Sequence, residues 1–283
     1  MTPTLLAFAL AQVATTAAPA PAPIPASPAE TQARFQQCAA QARTAPEAAL
    51  EAADAWRIEG GRLDAQQCLG LAYVALGRWR SAATVYEQAA REAETAQDER
   101  RADFWVQSGN AWLAAEEGTR AVQAFDSALA TGQLGDEMRG EVHLDRARAL
   151  VSLGSAEAAR GDLDRALLLV PSDPFAWYLS AGLARRQNDL ARAATDIARA
   201  VELAPADPDI LLLAGTLAGL AGNGAEAERL YRQVAASAPQ SDAGRAAAAA
   251  LATMADAPAP APTPAPAPAP EATPPPAQAG QPR

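Results

Sequence analysis

The sequence predicts an all-α fold, a solenoid of stacked antiparallel helix pairs. Residues 174–207 and 208–241 agree in residue type at an offset of 34 positions, so that Trp177 falls over Leu211. Repetition at this period is typical of arrays of helical hairpins. The chain is also 49% hydrophobic but only 5% aromatic, and alanine supplies much of the apolar fraction. Small apolar residues suit helices that cross closely, which the repetition requires.

The first 29 residues predict an exported chain. Thr4 to Ala14 is a short apolar run that resembles the core of a secretory signal peptide, with cleavage after Ala17. It is too short to span a bilayer, and no arginine precedes Arg34. We therefore expect a signal peptide over 1–17 and a periplasmic or secreted protein. The alternative is an apolar N-terminus on a cytoplasmic protein.

A Pro/Ala linker and one irregular hairpin come next. Residues 18–29 contain too much proline for a helix interior and predict an extended linker. Residues 30–61 predict a degenerate hairpin with helices at 30–43 and 47–59. Pro46 suits the start of the second helix, and Gly60-Gly61 suits its end.

Five regular units follow, and they share one spacing of small and large residues. Their predicted ranges are 63–96, 102–135, 140–173, 174–207 and 208–241. Extra residues fall around 97–101 and 136–139, where they lengthen a helix or loop between units. We expect glycine and alanine at the helix crossings, with Gly70 against Ala82 and Gly109 against Ala121. The aromatic residues are expected to fill gaps between successive hairpins.

The C-terminal part predicts one more helix and then a tail. Residues 242–255 are rich in alanine and predict a capping helix. Residues 256–283 alternate largely between alanine and proline, which favours a disordered, extended tail. Two interpretations stay open for this tail: a solvated segment without a fixed partner, or a spacer or Pro-recognition segment.

The shared spacing resembles the tetratricopeptide repeat. In the first unit the pattern is Leu69-Gly70, Tyr73, Ala82 and Tyr86, and related residues recur in the other four units. Glu116-Glu117 departs from it by standing where the family has its turn residue. The resemblance covers about 63–241 and implies a right-handed superhelical solenoid that binds a protein or peptide partner.

Composition and motifs argue against catalysis, cofactors and nucleic acid. The net charge is −10, and all 23 basic residues are arginine, so neither a basic block nor a lysine-based site exists. One histidine and two cysteines are too few for a usual zinc site, and neither a phosphate loop nor a GxSxG motif occurs. We expect His143 to pack in the core. We expect Asp162 and Asp164 to face different ways and Asp207 and Asp209 to cap a helix.

The resemblance also implies which residues meet a partner. In this family the first helix of each hairpin lines the concave surface. The matching positions here are Gln67, Leu71, Val106, Asn110, Leu113, Leu144, Arg148, Val151, Tyr178, Gly182, Arg185, Leu212 and Thr216. Asn110 resembles the groove asparagine that holds a peptide backbone, and Arg148 and Arg185 suit a carboxylate. Family members that clamp a C-terminal carboxylate use a lysine, which this chain does not have.

The two cysteines predict a disulfide. Cys38 and Cys68 follow matching Gln-Gln pairs, 30 residues apart, and both fall in first helices of neighbouring hairpins. An exported chain with two cysteines favours a bond between them, and the alternative is two buried free thiols. The function predicted from all this is an exported, non-catalytic interaction scaffold. A cytosolic adaptor and an envelope-architecture protein with its tail as a spacer remain as alternatives.

Overall fold

The computed structural model describes residues 27–256, and this range contains thirteen α-helices and no strand. The chain divides into two compact units, Met1–Pro171 and Ser172–Arg283. The predicted signal peptide, almost all of the linker and the tail after residue 256 lie outside the described residues. The all-α fold of paired helices predicted from the sequence is confirmed.

Unit 1 contains eight of these helices. They are α1 (Pro28–Thr44), α2 (Pro46–Ile58), α3 (Arg62–Ala75), α4 (Trp79–Ala96), α5 (Arg101–Ala114), α6 (Gly118–Ala130), α7 (Asp136–Ser152) and α8 (Ala156–Leu169). Each helix packs on the next, and α1 packs on α3 as well as on α2. The first hairpin is therefore joined to the regular array through both of its helices.

Unit 2 contains the other five. They are α9 (Pro174–Arg186), α10 (Leu190–Leu203), α11 (Pro208–Leu220), α12 (Gly224–Ser237) and α13 (Asp242–Asp256). The helix α13 buries Ala243 and Ala247 in one cluster with Leu211 and Tyr231, so it covers apolar surface of α11 and α12. No helix among residues 27–256 is both long enough and apolar enough to cross a bilayer.

The turn inside each regular hairpin uses one left-handed residue. Gly77, Gly154 and Gly222 have φ of 66°, 74° and 79°, and Asn188 takes the same place with φ of 61°. Glycine adopts this conformation without a steric penalty, and asparagine tolerates it. Glu116 takes the place in the hairpin of α5 and α6, with φ of 60°. The expected departure at this turn thus lies in the residue type, because the turn geometry is kept.

Aspartates begin the first helices of unit 2. The Asp207 carboxylate accepts hydrogen bonds from the backbone N–H groups of Asp209 and Ile210, each at 3.0 Å. This satisfies donors that a helix start leaves without a partner, and Pro208 occupies a position where no donor is needed. Asp207 is therefore a cap, as expected, while Asp209 lies in the first turn of α11.

The helix crossings differ from the expectation. A Cβ on Gly70 would lie 2.4 Å from the Tyr86 ring, and a Cβ on Gly109 would lie 2.5 Å from Phe125. The nearest neighbour of Gly70 is thus the aromatic residue of its own hairpin, not Ala82. Tyr86 stands one turn after Ala82 on the same face of α4, so its ring reaches the space that the glycine leaves.

The extra residues between successive repeats form different structures at the two places where they occur. Around residues 97–101, α4 runs to Ala96 and a short loop follows, with Gln97 in the left-handed region at φ of 52°. At the other insertion, residues 136–139 form the first turn of α7, which has 17 residues. Both additions leave the packed faces of the hairpins in phase.

Candidate functional site

The first helices of the regular hairpins lie on the inner side of each unit. In unit 1, α5 packs directly on α7, and in unit 2, α9 packs on α11. The second helices are in less contact than the first helices are, both between α4 and α6 and between α10 and α12. A stack whose first helices approach more closely than its second helices curves toward the first helices. Each unit therefore has an inner face formed by first helices, and the residues predicted to meet a partner lie on these helices.

Two polar side chains stand out on the inner face of unit 1. Asn110 on α5 and Arg148 on α7 are both exposed. The Arg148 guanidinium donates a hydrogen bond to Asp145 at 2.8 Å, one turn earlier on the same helix. Arg148 is held but still 47% exposed. Because the guanidinium is half exposed, a partner's carboxylate can reach it.

The other predicted positions of unit 1 are less accessible. Gln67, Leu71, Leu113 and Val151 are half-buried. Val106 and Leu144 are 8% and 4% exposed, so their side chains pack between helices.

Asp145 was missed by the sequence reasoning. Its carboxylate is half-buried, and burial raises its pKa, while the hydrogen bond and the charge of Arg148 act in the opposite direction. The signal that would have found it is the spacing of three between Asp145 and Arg148, which brings two side chains to one helix face. Asp145 therefore positions the guanidinium on the inner face.

The inner face of unit 2 begins with two stacked aromatic rings. Phe175 and Tyr178 lie on α9 with ring centroids 5.9 Å apart, and Phe175 is 43% exposed. Tyr178 is half-buried; burial raises the pKa of its phenol, and the nearby Asp209 and Asp207 raise it further. Phe175 was missed by the sequence reasoning, although its place directly after Pro174 puts it at the open end of α9.

The rest of the inner face of unit 2 has arginines at the end of α9 and less polar residues on α11. Arg185, and Arg186 beside it, are exposed in the last turn of α9, where the helix dipole favours cations. Gly182 lies between the aromatic pair and the arginines, and a Cβ there would meet open space. On α11, Leu212 is half-buried, and the Thr216 hydroxyl donates to the Leu212 carbonyl at 2.9 Å and accepts from the Tyr231 hydroxyl. Thr216 is thus engaged within the unit.

The single histidine belongs to a buried ion-pair network. His143 is 8% exposed, and its Nδ1 lies 3.0 Å from Oδ1 of Asp162, which is 1% exposed. Arg146 donates to both oxygens of Asp162, at 2.8 and 2.7 Å, and also contacts Asp126 on α6. His143 packs in the core, as expected, and adds a hydrogen bond. Asp164 points elsewhere and pairs with Arg160.

The two cysteines lie at disulfide distance. Cys38 on α1 and Cys68 on α3 have Cα atoms 6.0 Å apart, within the usual range for a disulfide, and the structure joins their sulfur atoms. Both are buried, at 6% and 0% exposure. The pairing predicted from their matching contexts is therefore compatible with the fold. Among residues 27–256, no group of three or more His, Cys, Asp or Glu side chains is placed to hold a metal ion.

Comparisons with known proteins agree with this architecture. A tetratricopeptide-repeat family model matches residues 69–135, 144–208 and 183–242, which together exceed half of the chain. No curated protein matches the sequence significantly. Among solved structures, PilW, a type IV pilus biogenesis factor, aligns with a TM-score of 0.64 and 20% identity over 78% of this chain and 98% of its own.

Two further solved structures share the fold. PilF of Pseudomonas aeruginosa has a TM-score of 0.62 and 18% identity over 78% of this chain and 97% of its own. YrrB, described as a TPR protein with an unusual peptide-binding site, has a TM-score of 0.51 and 20% identity over 70% of this chain and 95% of its own. At these identities the likeness establishes the fold.

Proposed function

The chain belongs to the tetratricopeptide-repeat family, and we propose that it is a non-catalytic scaffold that binds a protein or peptide partner on the inner faces of its helix pairs. The observation that carries this proposal is the exposure of polar and aromatic side chains on the first helices. Asn110 and Arg148 in unit 1, and Phe175 and Arg185 in unit 2, are all exposed at these positions. A repeat array uses such a face as an extended binding surface.

The two inner faces supply different chemistry. Unit 1 presents an amide and a guanidinium, which suit the backbone and a carboxylate of an extended peptide. Unit 2 presents a stacked aromatic pair with two arginines about two turns further along α9, which suits an apolar side chain next to an acidic one. Both faces therefore favour partners with acidic residues. Val106 and Leu144 support the helices from inside, and Thr216 holds α11 to α12.

The test is a double variant in unit 1. Asn110→Ala with Arg148→Ala should weaken capture of the partner by cross-linking pull-down from the envelope fraction, without lowering the melting temperature, because both side chains are exposed. The matched control is Thr195→Ala with Arg232→Ala, two exposed positions on the second helices α10 and α12. If the double variant captures the same partner at the wild-type level, the proposal fails for these two residues.

We further propose that the protein is exported and acts in the periplasm or outside the cell. The apolar run at residues 4–14 supports export, and so does the cysteine pair at disulfide distance, because such bonds persist in oxidising compartments. Cell fractionation tests this directly. Thiol labelling of the denatured, unreduced protein should detect no free cysteine, whereas two free thiols in cytoplasmic protein would leave the cytosolic adaptor as the answer.

A second candidate function is a role in building an envelope structure. It rests on the likeness to PilW, described as a type IV pilus biogenesis factor, and on the Pro/Ala-rich residues 257–283, which would serve as a spacer. Deleting 257–283 separates the two candidates. An unchanged localisation and unchanged partner capture favour the scaffold alone, and a changed localisation favours the envelope role.

A further inference from the structure

A cavity of about 560 Å³ lies on the outer side of unit 1, between the second helices α4 and α6. Its floor is α5, which contributes Trp105 and Trp112, two helical turns apart. Its walls carry hydrogen-bonding side chains on both sides. The lining residues are Thr84, Glu87, Gln88 and Arg91 from α4, and Arg120, Gln123, Ala124 and Ser127 from α6. This cleft is on the opposite side of the hairpins from the inner face.

A small residue explains why the cleft opens here. Ala124 occupies the position in its hairpin that Asp162, Asp196 and Leu230 occupy in the next three hairpins. Those three larger side chains are all buried. In the hairpin of α5 and α6 this position holds the small Ala124, which lines the cleft and is 3% exposed. A Leu at this position is already accommodated in the hairpin of α11 and α12.

The floor is rigid before any ligand arrives. The Trp105 Nε1–H donates a hydrogen bond to Glu94 at 2.7 Å, which fixes the orientation of its indole ring. Trp112 is 2% exposed and is held by its packing. Because neither indole offers a wide free face, a flat base has no place to stack. This favours a ligand that uses the polar groups above the rings.

Two guanidinium groups stand above this floor. Arg91 lies 5.8 Å from the centre of the Trp105 ring, and Arg120 lies 4.5 Å from the centre of the Trp112 ring. Arg91 pairs with Glu87 at 2.7 Å, whereas Arg120 has no carboxylate partner in the part of the chain that the structure describes. Glu87 and Glu94 both lie near Arg91, so the unbalanced positive charge of the cleft lies at its Arg120 end. The Gln88 and Gln123 side chains stand on opposite walls and can bond a peptide backbone.

We propose that this outer cleft binds an acidic peptide in the polyproline II conformation, with carboxylates on Arg120 and Arg91. Two helical turns separate the two indoles by about 10.5 Å along α5. A polyproline II peptide repeats its side-chain direction every three residues, which is about 9.3 Å. Carboxylates three residues apart therefore match the spacing of the two indoles, and one guanidinium lies against each indole. The second carboxylate replaces Glu87, whose exposed ion pair is weak. This proposal is independent of binding at the inner faces.

The experiment measures fluorescence anisotropy of a labelled peptide of sequence Glu-Pro-Pro-Glu-Pro-Pro-Glu, with its glutamine counterpart as a control, on the whole protein. We expect saturable binding that weakens with salt, and at least tenfold weaker binding of the glutamine peptide. Arg91→Gln with Arg120→Gln should weaken binding tenfold or more, and Arg229→Gln with Arg232→Gln on α12 should leave it unchanged.

A cavity-filling variant tests the same site without changing its charge. Ala124→Leu places in the cleft the residue type that Leu230 supplies in the hairpin of α11 and α12. This variant should abolish peptide binding. If the double arginine variant or Ala124→Leu fails to fold, the single variant Arg120→Gln replaces it in the test. This variant should fold because the Arg120 side chain is exposed. The proposal is overturned if the glutamine peptide binds as well, if the arginine variants bind normally, or if no saturable binding occurs. Displacement of the peptide by stoichiometric phosphate would reassign the cleft to a phosphate ligand and also overturn it.

Discussion

The most deeply buried charged groups of unit 1 stabilise the packing of its helices. Asp162 is 1% exposed and receives hydrogen bonds from His143 and Arg146. A buried carboxylate is tolerated because these donors replace the water that it loses. The network joins α7 to α8 and, through Asp126, to α6. Its role is to hold the order of these helices, and its residues stand apart from the inner face.

Replacing Asp162 with Asn should be strongly destabilising. The variant leaves Arg146 without its main buried partner, and breaking a buried pair from one side costs about 3–5 kcal/mol. The free energy of unfolding in urea gives the measurement. Asp54→Asn on α2 is the control and should cost less than about 1 kcal/mol, because both side chains of its pair with Arg57 are exposed. Equal effects of the two variants would contradict this account of the network.

The same carboxylate predicts how stability depends on pH. Burial alone would raise the pKa of Asp162, but the hydrogen bonds from His143 and Arg146 and the positive charge of Arg146 outweigh it, so its pKa lies below the ordinary value. A depressed pKa adds stability above the unfolded value of about 3.9, and that stability is lost as the pH falls through the folded value. The wild type should therefore lose stability below about pH 4. Asp162→Asn should show a shallower loss in the same window, and parallel curves would contradict the assignment.

Alanine at a helix crossing should tolerate no larger residue. Ala193 on α10 is 0% exposed, and its neighbour Ala194 is exposed. Ala193→Leu overpacks the crossing of α9 and α10 and should cost about 1–3 kcal/mol. Ala194→Leu adds the same volume to the surface and should change the melting temperature little. An unchanged melting temperature for Ala193→Leu would mean that the helices are packed in another register.

At the scale of the elements, α1 is attached in two ways. It packs on α2 and α3, and the pair of Cys38 and Cys68 joins it to α3 across the irregular first hairpin. Closing a loop of this length stabilises a fold by roughly 3 kcal/mol in the chain-entropy model. Because α1 is the first helix in the described part of the chain and packs there on α2 and α3, we expect it to depend on this link more than the inner hairpins do.

Removing the link should loosen α1 before any other helix. In Cys38→Ser with Cys68→Ser, amide hydrogens of α1 should exchange faster, and those of α5 and α6 should be unaffected, because local opening follows local packing. Wild type treated with a reductant serves as the control and should behave like the double variant. Protection of α1 that is equal in all three samples would show that packing alone holds it.

How far the sequence predicts these elements depends on the kind of signal. The period near 34 residues predicted the helix pairs, because a buried stripe recurs wherever a hairpin packs on the next. It did not predict that Gly70 lies against Tyr86, because both alanine and the aromatic residue face the same crossing. Glu116 shows that turn geometry is kept by the surrounding helices when the local residue is unfavourable.

The candidate site was less predictable than the fold. Periodicity assigns a residue to a helix face but cannot separate the exposed edge of that face from its buried edge. Asn110 and Arg148 are exposed, while Val106 and Leu144, one turn earlier on the same helices, are buried. Phe175 was missed because the first turn of a helix lies at the margin of the pattern. The outer cleft was missed because it depends on a residue that is smaller than its counterparts, Ala124.

In the whole molecule, each unit combines a packed core with an inner face, and unit 1 has in addition an outer surface of different chemistry. The inner faces carry polar, aromatic and cationic groups on first helices, and the outer side of unit 1 carries the cleft between α4 and α6. We expect the protein partner to bind at the inner faces. Because the chain has a net charge of −10, we expect the arginines on these faces to favour acidic segments of the proposed partner.

The most direct test of this claim is site-specific photo-cross-linking in cells that produce the protein. A photoreactive amino acid is placed at Asn110 or Arg185 on first helices, and at Arg165 or Thr195 on second helices, all of which are exposed. We expect one shared protein adduct from the two first-helix positions and none from the two second-helix positions. An adduct to the same protein from the second-helix positions alone would contradict binding at the inner faces.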